Sequence, residues 1–400
     1  MKRGKKIAVV LLSSAFAFGV YSKIGNNSFV SREIECYAEG VESGISVSAK
    51  SAFVMESDTQ TTIYAKEENK RLPIASMCKI MTLLLSFEAI DCGVLEFSEQ
   101  ITVSENAAAM GGSQVFLEAN ASYPVKELIK SIIVCSANDS CVAMAEAIAG
   151  SEEAFVVKMN EKTKELGLEN TLFANCTGLP KEPQYSSAKD VAKMLNKLIE
   201  HEEYFEFGKI WMDKFQHPEG RYTEISNTNR LVRFYDGCDG GKTGFTNQAG
   251  FCLAATAKRN NMRIISVVIG EENSKQRFDD VRRTFDHAFA NYSLKTVVDG
   301  EVPLGESVVA VGGKTKQLKV IPQRSGFIFG KKGEKENVTT EWSMIKSVKA
   351  PVSAGEVVGE IVVYKDGVEV DRIPLVAAEN LEKANVFDNF KEIANAWNFS

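Results

Sequence analysis

The sequence predicts a mixed α/β (α+β) domain, followed by a small all-β domain and a terminal amphipathic helix. Three observations carry that expectation. Two pairs of β-prone runs, at residues 51–65 and 250–269, flank a series of helical stretches. From about residue 293 the texture changes to short strand-like segments divided by turn signals such as Asp366-Gly367. Near the end, Val386, Phe390, Ile393 and Trp397 recur at steps of 4, 3 and 4, a single helical stripe. With 400 residues, 44% hydrophobic and 25% charged, the chain has globular composition and enough length for more than one domain.

Taken in order, residues 1–38 read as an export signal. Lys2, Arg3, Lys5 and Lys6 form a positive start, and residues 7–20 are apolar apart from Ser13, Ser14 and Gly19. Cleavage after Ser22 would remove four positive charges and take the net charge from −6 to −10. The α/β domain spans 39–291. Within it, residues 51–56 and 61–65 make a hairpin around Ser57-Asp58-Thr59-Gln60. Residues 76–90 are apolar nearly all round and predict a buried helix. Residues 125–134 and 141–148 predict two helices interrupted by Ser136-Ala137-Asn138-Asp139-Ser140. Amphipathic spacing marks 155–166 and 187–199, and 281–290 is a further helix. Strands at 250–258 and 262–269 meet through Arg259-Asn260-Asn261. The all-β domain spans 292–378 and the terminal helix 379–400.

Composition excludes several functions. Lys+Arg 47 against Asp+Glu 53, with no long basic run beyond the first six residues, argues against a nucleic-acid partner. The three histidines, His201, His217 and His287, sit in no HExxH motif and beside no cysteine pair, so a His-based zinc site is not expected. A Ser-His-Asp hydrolase would need one of these three, and none stands in a catalytic setting. The eight cysteines show no CxxC, and several lie within apolar runs, which predicts buried free thiols rather than a disulfide framework.

With histidine scarce, a nucleophile needs another base. Ser76-Met77-Cys78-Lys79 places a serine and a lysine three apart, on one helix face, with the positive end of the helix dipole at the serine. An amine in a dry pocket near other cations loses its proton more readily and can take the serine's. Alone the pattern is weak, since it also describes a helix N-cap and recurs at Ser186 with Lys189 and at Ser343 with Lys346. Two further segments strengthen it. Ser136-Ala137-Asn138 follows 60 residues later in an inter-helix loop, and Lys242-Thr243-Gly244 follows 106 residues after that, at a sheet edge. Ser-x-Asn has a competitor in Ser104-Glu105-Asn106, whereas Lys-Thr-Gly occurs once. The three motifs in this order are those of penicillin-recognising serine enzymes.

On these motifs, and on Gly112-Ser113-Gln114, residues 136–150, Leu166 to Thr171, Tyr185 to Asp190 and Gly240 to Gly244, the chain resembles the serine D-alanyl-D-alanine carboxypeptidases, the low-molecular-mass penicillin-binding proteins. The resemblance covers roughly residues 45–290 and implies a serine β-lactamase/transpeptidase-like catalytic domain. It implies that Ser76 attacks the penultimate D-alanine carbonyl of a peptidoglycan stem pentapeptide, with Lys79 as general base. It implies that Ser136 and Asn138 pass protons and hold the substrate backbone, and that Lys242, Thr243, Gly244 and Phe245 bind the substrate's terminal end. The backbone N–H groups of Ser76 and Phe245 would form the oxyanion hole. β-Lactams would be covalent inhibitors, and neither metal nor organic cofactor is called for.

Two positions depart from the family pattern. Cys78 stands where threonine is common, and Phe245 follows Lys-Thr-Gly where a polar side chain, tyrosine or histidine is frequent. An arginine that assists carboxylate binding in some relatives has no clean counterpart, although Arg230 is nearby. A β-lactamase shares the three motifs but deacylates with a glutamate-held water. Glu165 and Glu169 occupy that region, yet their KELGLEN context matches the carboxypeptidases, and the β domain is surplus to a β-lactamase. An inactive wall-binding module is the third reading, against which all motif residues are present. The terminal helix is expected to touch the membrane surface from outside the cell, although Glu379, Glu382, Lys383, Asp388, Lys391 and Glu392 sum to −2 and offer anionic lipid no attraction.

Overall fold

The computed structural model describes residues 44–300 and 302–388; the export segment and the stripe residues Phe390, Ile393 and Trp397 lie outside them. Strand β1 (Ser51–Glu56) turns into β2 (Thr62–Lys66). The turn closes on Glu56, whose carboxylate accepts from the N–H groups of Asp58 and Thr59 and from the Thr59 hydroxyl. A 3₁₀ turn (Ala75–Cys78) then leads into α1 (Lys79–Asp91). After these come β3 (Gln100–Thr102), α2 (Glu105–Ala108), β4 (Ser122–Pro124), α3 (Val125–Val134), α4 (Asn138–Ala149), α5 (Glu152–Glu165), α6 (Ala188–Leu198) and α7 (Tyr204–Gly208). A hairpin of β5 (Met212–Gln216) and β6 (Tyr222–Ser226), the short α8 (Leu231–Phe234), strands β7 (Cys238–Thr246), β8 (Gly250–Arg259) and β9 (Met262–Glu271), and α9 (Ser274–Asn291) complete the domain.

The central sheet is antiparallel with order β2-β1-β9-β8-β7, so the N-terminal hairpin joins strands some 200 residues away. Strand alternation gives it two apolar faces. Phe53, Met55, Ala254, Ile265 and Val267 join the core built on α1, α3, α4 and α6. Ala52, Val54, Leu253, Ala255 and Val268 pack instead with Phe278, Val281, Phe285 and Phe289 of α9. The sheet is therefore covered on both sides, and β7, one of its two edge strands, packs against the 3₁₀ turn and α7. Helix α1 is buried along nearly its whole length, as its unpatterned apolar sequence requires. The described cysteines are all free, and Cys78, Cys141, Cys176, Cys238 and Cys252 are buried as small apolar groups.

Helix α9 runs without a linker into β10 (Tyr292–Val298), which pairs with β13 (Gly326–Lys331). The rest of the β domain is β11 (Ser307–Val311), β12 (Gln317–Pro322), β14 (Val338–Met344), β15 (Ser347–Lys349), β16 (Val357–Lys365) and β17 (Val368–Ala377), in the order β14-β16-β17-β12-β11-β15. At the junction Tyr292 stacks on Phe329 at 5.0 Å, and Lys332 Nζ donates to the Phe289 carbonyl at 2.6 Å. One expectation shifts here. The terminal helix does not begin at 379: Leu381 bridges Val352 and Lys383 bridges Gly313, and the first helical turn comes at residues 386–388. The reason is packing, since Leu381 is buried in the β-domain core.

Phe285 anchors the second face, fully buried with ring centroids 5.3 Å from Tyr235 and 6.4 Å from Phe289. Phe285→Ala is expected to cost about 3–5 kcal/mol in urea unfolding followed by circular dichroism; a loss below about 1 kcal/mol would mean that this face is not a packed core.

Candidate active site

Ser76 does not cap a helix. It lies within the 3₁₀ turn, preceded by Ala75 at φ 48°, and the Lys79 amine reaches back across that turn to sit 3.1 Å from Ser76 Oγ. Lys79 is fully buried, and its Nζ also donates to Asn138 Oδ1 at 2.7 Å and to the Thr177 carbonyl at 2.6 Å. One nitrogen thus ties the nucleophile segment, α4 and the 175–179 loop together. Gly178 is needed for this approach: at φ 81°, a Cβ there would lie 2.0 Å from the Ala75 carbonyl oxygen.

Ser136 holds φ 66° between α3 and α4, a conformation costly for serine. Its Oγ is buried with no hydrogen-bond partner among the described residues. Asn138 is the first residue of α4, so the expected loop is shorter than the sequence predicts and Asn138 to Ser140 form the helix's first turn. The side chain of Asn138 is fixed at both ends, accepting from Lys79 and donating from Nδ2 to the Gly111 carbonyl at 2.7 Å.

Lys242, Thr243, Gly244 and Phe245 all lie within the edge strand β7, as a sheet-edge position ahead of the β8–β9 hairpin requires. Lys242 is buried; burial above all, and next the charge of Lys79, push its pKa down to about 7. Gly244 lets β7 lie against the nucleophile, since a Cβ there would sit 2.5 Å from the Ile74 carbonyl oxygen and 3.3 Å from Ser76 N. That contact brings the Phe245 backbone beside Ser76. The Phe245 ring itself is half exposed and stacks on its cross-strand partner Phe251 at 4.2 Å.

Three contributors escape the motif reading. Arg277, on α9, is buried under β7 and donates to the carbonyls of Gly244 (3.3 Å) and Cys252 (3.4 Å). Its place on the helix face of Phe278 and Val281 was a sequence signal for a buried cation, whereas Arg230 is exposed. Tyr204 accepts from Gly241 N–H at 2.8 Å, and Asn229 Nδ2 donates to the Gly240 carbonyl at 3.0 Å, so β7 is held in place from α7 and the 227–230 turn. The competing motifs resolve into local structure. Ser104 caps α2, Ser186 bonds Thr171, and Ser343 and Lys346 are exposed. Glu165 and Glu169 are exposed as well; Glu165 pairs with Lys162, and the Glu169 carbonyl accepts from Arg71.

Residues 38–273 match the family model described as D-alanyl-D-alanine carboxypeptidase, and residues 293–383 match that of the penicillin-binding protein 5 C-terminal domain. A D-alanyl-D-alanine carboxypeptidase, DacF, of Bacillus subtilis is 42% identical over 350 residues, covering 87% of this chain and 90% of that protein. The crystal structure of penicillin binding protein 5 from Haemophilus influenzae superposes with TM-score 0.68 at 29% identity, covering 86% of this chain and 100% of that one. The ampicillin-bound form of penicillin-binding protein D2 from Listeria monocytogenes superposes with TM-score 0.55 at 28% identity, covering 61% and 98%.

Because Lys242 has a pKa of about 7, it is partly neutral in mildly alkaline solution. A bound carboxylate favours its charged form, so binding of a carboxylate-terminated peptide to the Ser76→Ala variant is expected to take up a proton at about pH 8. Calorimetry in buffers of different ionisation enthalpy measures this; proton uptake of zero would mean that no such coupling exists.

Proposed function

From the premise that the chain belongs to the D-alanyl-D-alanine carboxypeptidase family, we propose that Ser76 is the nucleophile with which this serine-type hydrolase releases the terminal D-alanine of peptidoglycan stem pentapeptides. The observation that carries the assignment is the set of partners around Lys79. Asn138 Oδ1 and the Thr177 carbonyl, at 2.7 and 2.6 Å, hold the Lys79 amine from two sides and aim its remaining position at Ser76 Oγ, 3.1 Å away, within the reach a general base needs.

The reaction follows from that arrangement. Ser76 Oγ attacks the penultimate D-alanine carbonyl as its proton passes to Lys79, and the N–H groups of Ser76 and Phe245 take the developing oxyanion. Ser136, whose buried hydroxyl has no other partner among the described residues, relays a proton to the leaving amine. D-Alanine departs, and water returns the ester to serine and free peptide. Lys242, Thr243 and Arg277 surround the substrate's terminal carboxylate with positive charge and a hydroxyl. β-Lactams acylate the same serine, in keeping with the ampicillin-bound relative. Ser76→Ala should remain folded while losing both covalent penicillin labelling and D-alanine release. Labelling that persists in the variant moves the nucleophile elsewhere.

The wall substrate places this activity outside the cytoplasmic membrane, which is the destination the N-terminal segment predicts. Among the described residues no helix is long and apolar enough to cross a membrane. Val386 and Phe387, 72% and 85% exposed, open the terminal apolar stripe, and peripheral contact through it follows. Removing residues 386–400, which spares Leu381, should shift the signal-cleaved protein from the membrane pellet to the supernatant with D-alanine release retained. Continued sedimentation would exclude the helix as the anchor.

A further inference from the structure

The Gly112-Ser113-Gln114 segment belongs to a strap, residues 111–118, that crosses the start of α4. Its inner side grips Asn138 and Asp139. Gly111 O accepts from Asn138 Nδ2 and Ser113 O from Asn138 N, both at 2.7 Å. The Asp139 carboxylate accepts from Val115 N at 3.0 Å and Leu117 N at 3.1 Å. The outer side is held by the β5–β6 hairpin. Thr223 Oγ1 donates to Val115 O at 3.2 Å, and Arg221 donates from Nη2 to Phe116 O at 2.9 Å and from Nε to Glu118 Oε1 at 3.1 Å. Phe116 holds φ 63° without being glycine, a conformation that persists only where contacts on both sides fix it.

The outer contacts converge on one imidazole. His217 is buried, packed against Phe215 at 5.0 Å and Tyr123 at 5.7 Å. Because the Thr223 hydroxyl uses its hydrogen on Val115 O, it accepts from His217 Nε2–H at 2.9 Å. That fixes the tautomer. Nδ1 is then the acceptor, 2.8 Å from Arg221 Nη2 and 3.2 Å from Tyr123 Oη.

We propose that His217, as its neutral Nε2–H tautomer, is a positioning residue for D-alanine release: it fixes the 111–118 strap through Thr223 and Arg221, and the strap fixes Asn138. The inference rests on the reading that Asn138 holds substrate and Lys79. A second proton on His217 would occupy Nδ1, where Arg221 already donates, and would force the guanidinium off both the imidazole and Phe116 O. The charged and titratable groups facing His217 are Arg221, Glu118 and Tyr123, with Asp139 beyond the strap. Burial first and Arg221 second hold its pKa below the ordinary histidine range, while Glu118 and a backbone hydrogen bond to Val115 oppose them. The neutral form therefore persists into mildly acidic solution, and activity carries an acid limb that falls with pH below that point.

The test compares His217→Phe, which keeps the ring and loses both bonds, with His217→Gln, which offers an N–H and an acceptor oxygen. kcat/KM for D-alanine release should fall on the order of 10- to 100-fold in the phenylalanine variant, the scale of a small misplacement of the reacting groups. Glutamine should restore it to within about threefold of the parent, with the His217 acid limb gone from the pH profile. Thr223→Val, which frees Val115 O and leaves His217 in place, should lower activity in the same direction, and it decides the matter if His217→Phe fails to fold. A folded phenylalanine variant with parental activity and the parental acid limb overturns the proposal, as does equal loss in the phenylalanine and glutamine variants. A failure of the Ser76 assignment is distinct, because the parent enzyme itself would then form no penicilloyl adduct at Ser76.

Discussion

A single buried amine organises this molecule. Lys79 is held at the start of α1 with three polar atoms from three separate segments around it, and none of those segments is near another in sequence. An unpartnered amine there would carry a large desolvation penalty. The fold therefore has to deliver Asn138 and the Thr177 carbonyl to it, and in doing so it sets the amine beside Ser76 Oγ, where the proposed mechanism needs a base. Stability and chemistry meet at the same nitrogen. This is why the inter-helix loop and the 175–179 loop are irregular backbone with positive φ at Ser136 and Gly178, yet are buried.

The same region concentrates positive charge with few counterions. Lys79 and Lys242 repel one another, and the shift of Lys242 down to about 7 is the signature of that repulsion added to burial. Arg277 follows the same rule: burial lowers it to about 10, with Arg230 acting in the same direction. A site in this condition is stabilised by an anion, because each cation regains a partner when one arrives. On the proposed function that anion is the substrate's terminal carboxylate, and the argument does not involve the side chain of Phe245, which is half exposed against Phe251.

Much of this was legible in the sequence because the proposed catalytic residues come in short, ordered motifs at elements with clear periodicity. Ser76 and Lys79 are neighbours on one turn, and the apolar run after them predicted the buried helix. The sheet-edge setting of Lys242 to Gly244 was legible too, whereas the full extent of β7, from Cys238 to Thr246, was not. What stayed hidden depends on contacts between distant segments. Tyr204 supports Gly241 from 37 residues away, Arg277 reaches Gly244 from 33 away, and Thr223, the partner of His217, reaches Val115 from 108 away. Apart from Arg277, which shares the helix face of Phe278 and Val281, their residue types carry no pattern of their own. The end of the β domain was misread for a related reason: an amphipathic stripe declares a helix, but Leu381 declares its burial only once Val352 is opposite it.

Helix α9 connects these two levels. Arg277 in its first turn lies under the active-site strand, and Phe289 and Asn291 at its other end receive Lys332 of the β domain. Eighteen residues span about 27 Å, so the helix is a rod whose two ends are in different domains. Its apolar face, Phe278, Val281, Phe285 and Phe289, is packed without interruption against the sheet that carries β7, and Phe329 of β13 joins the same cluster. The β domain is therefore an extension of the core that positions Arg277. A close-packed interior transmits displacement rather than absorbing it. The position of Arg277 under β7 is consequently set from both domains, and on the proposed mechanism this is a physical reason for a small all-β domain to follow the domain that holds Ser76, Lys79 and Lys242.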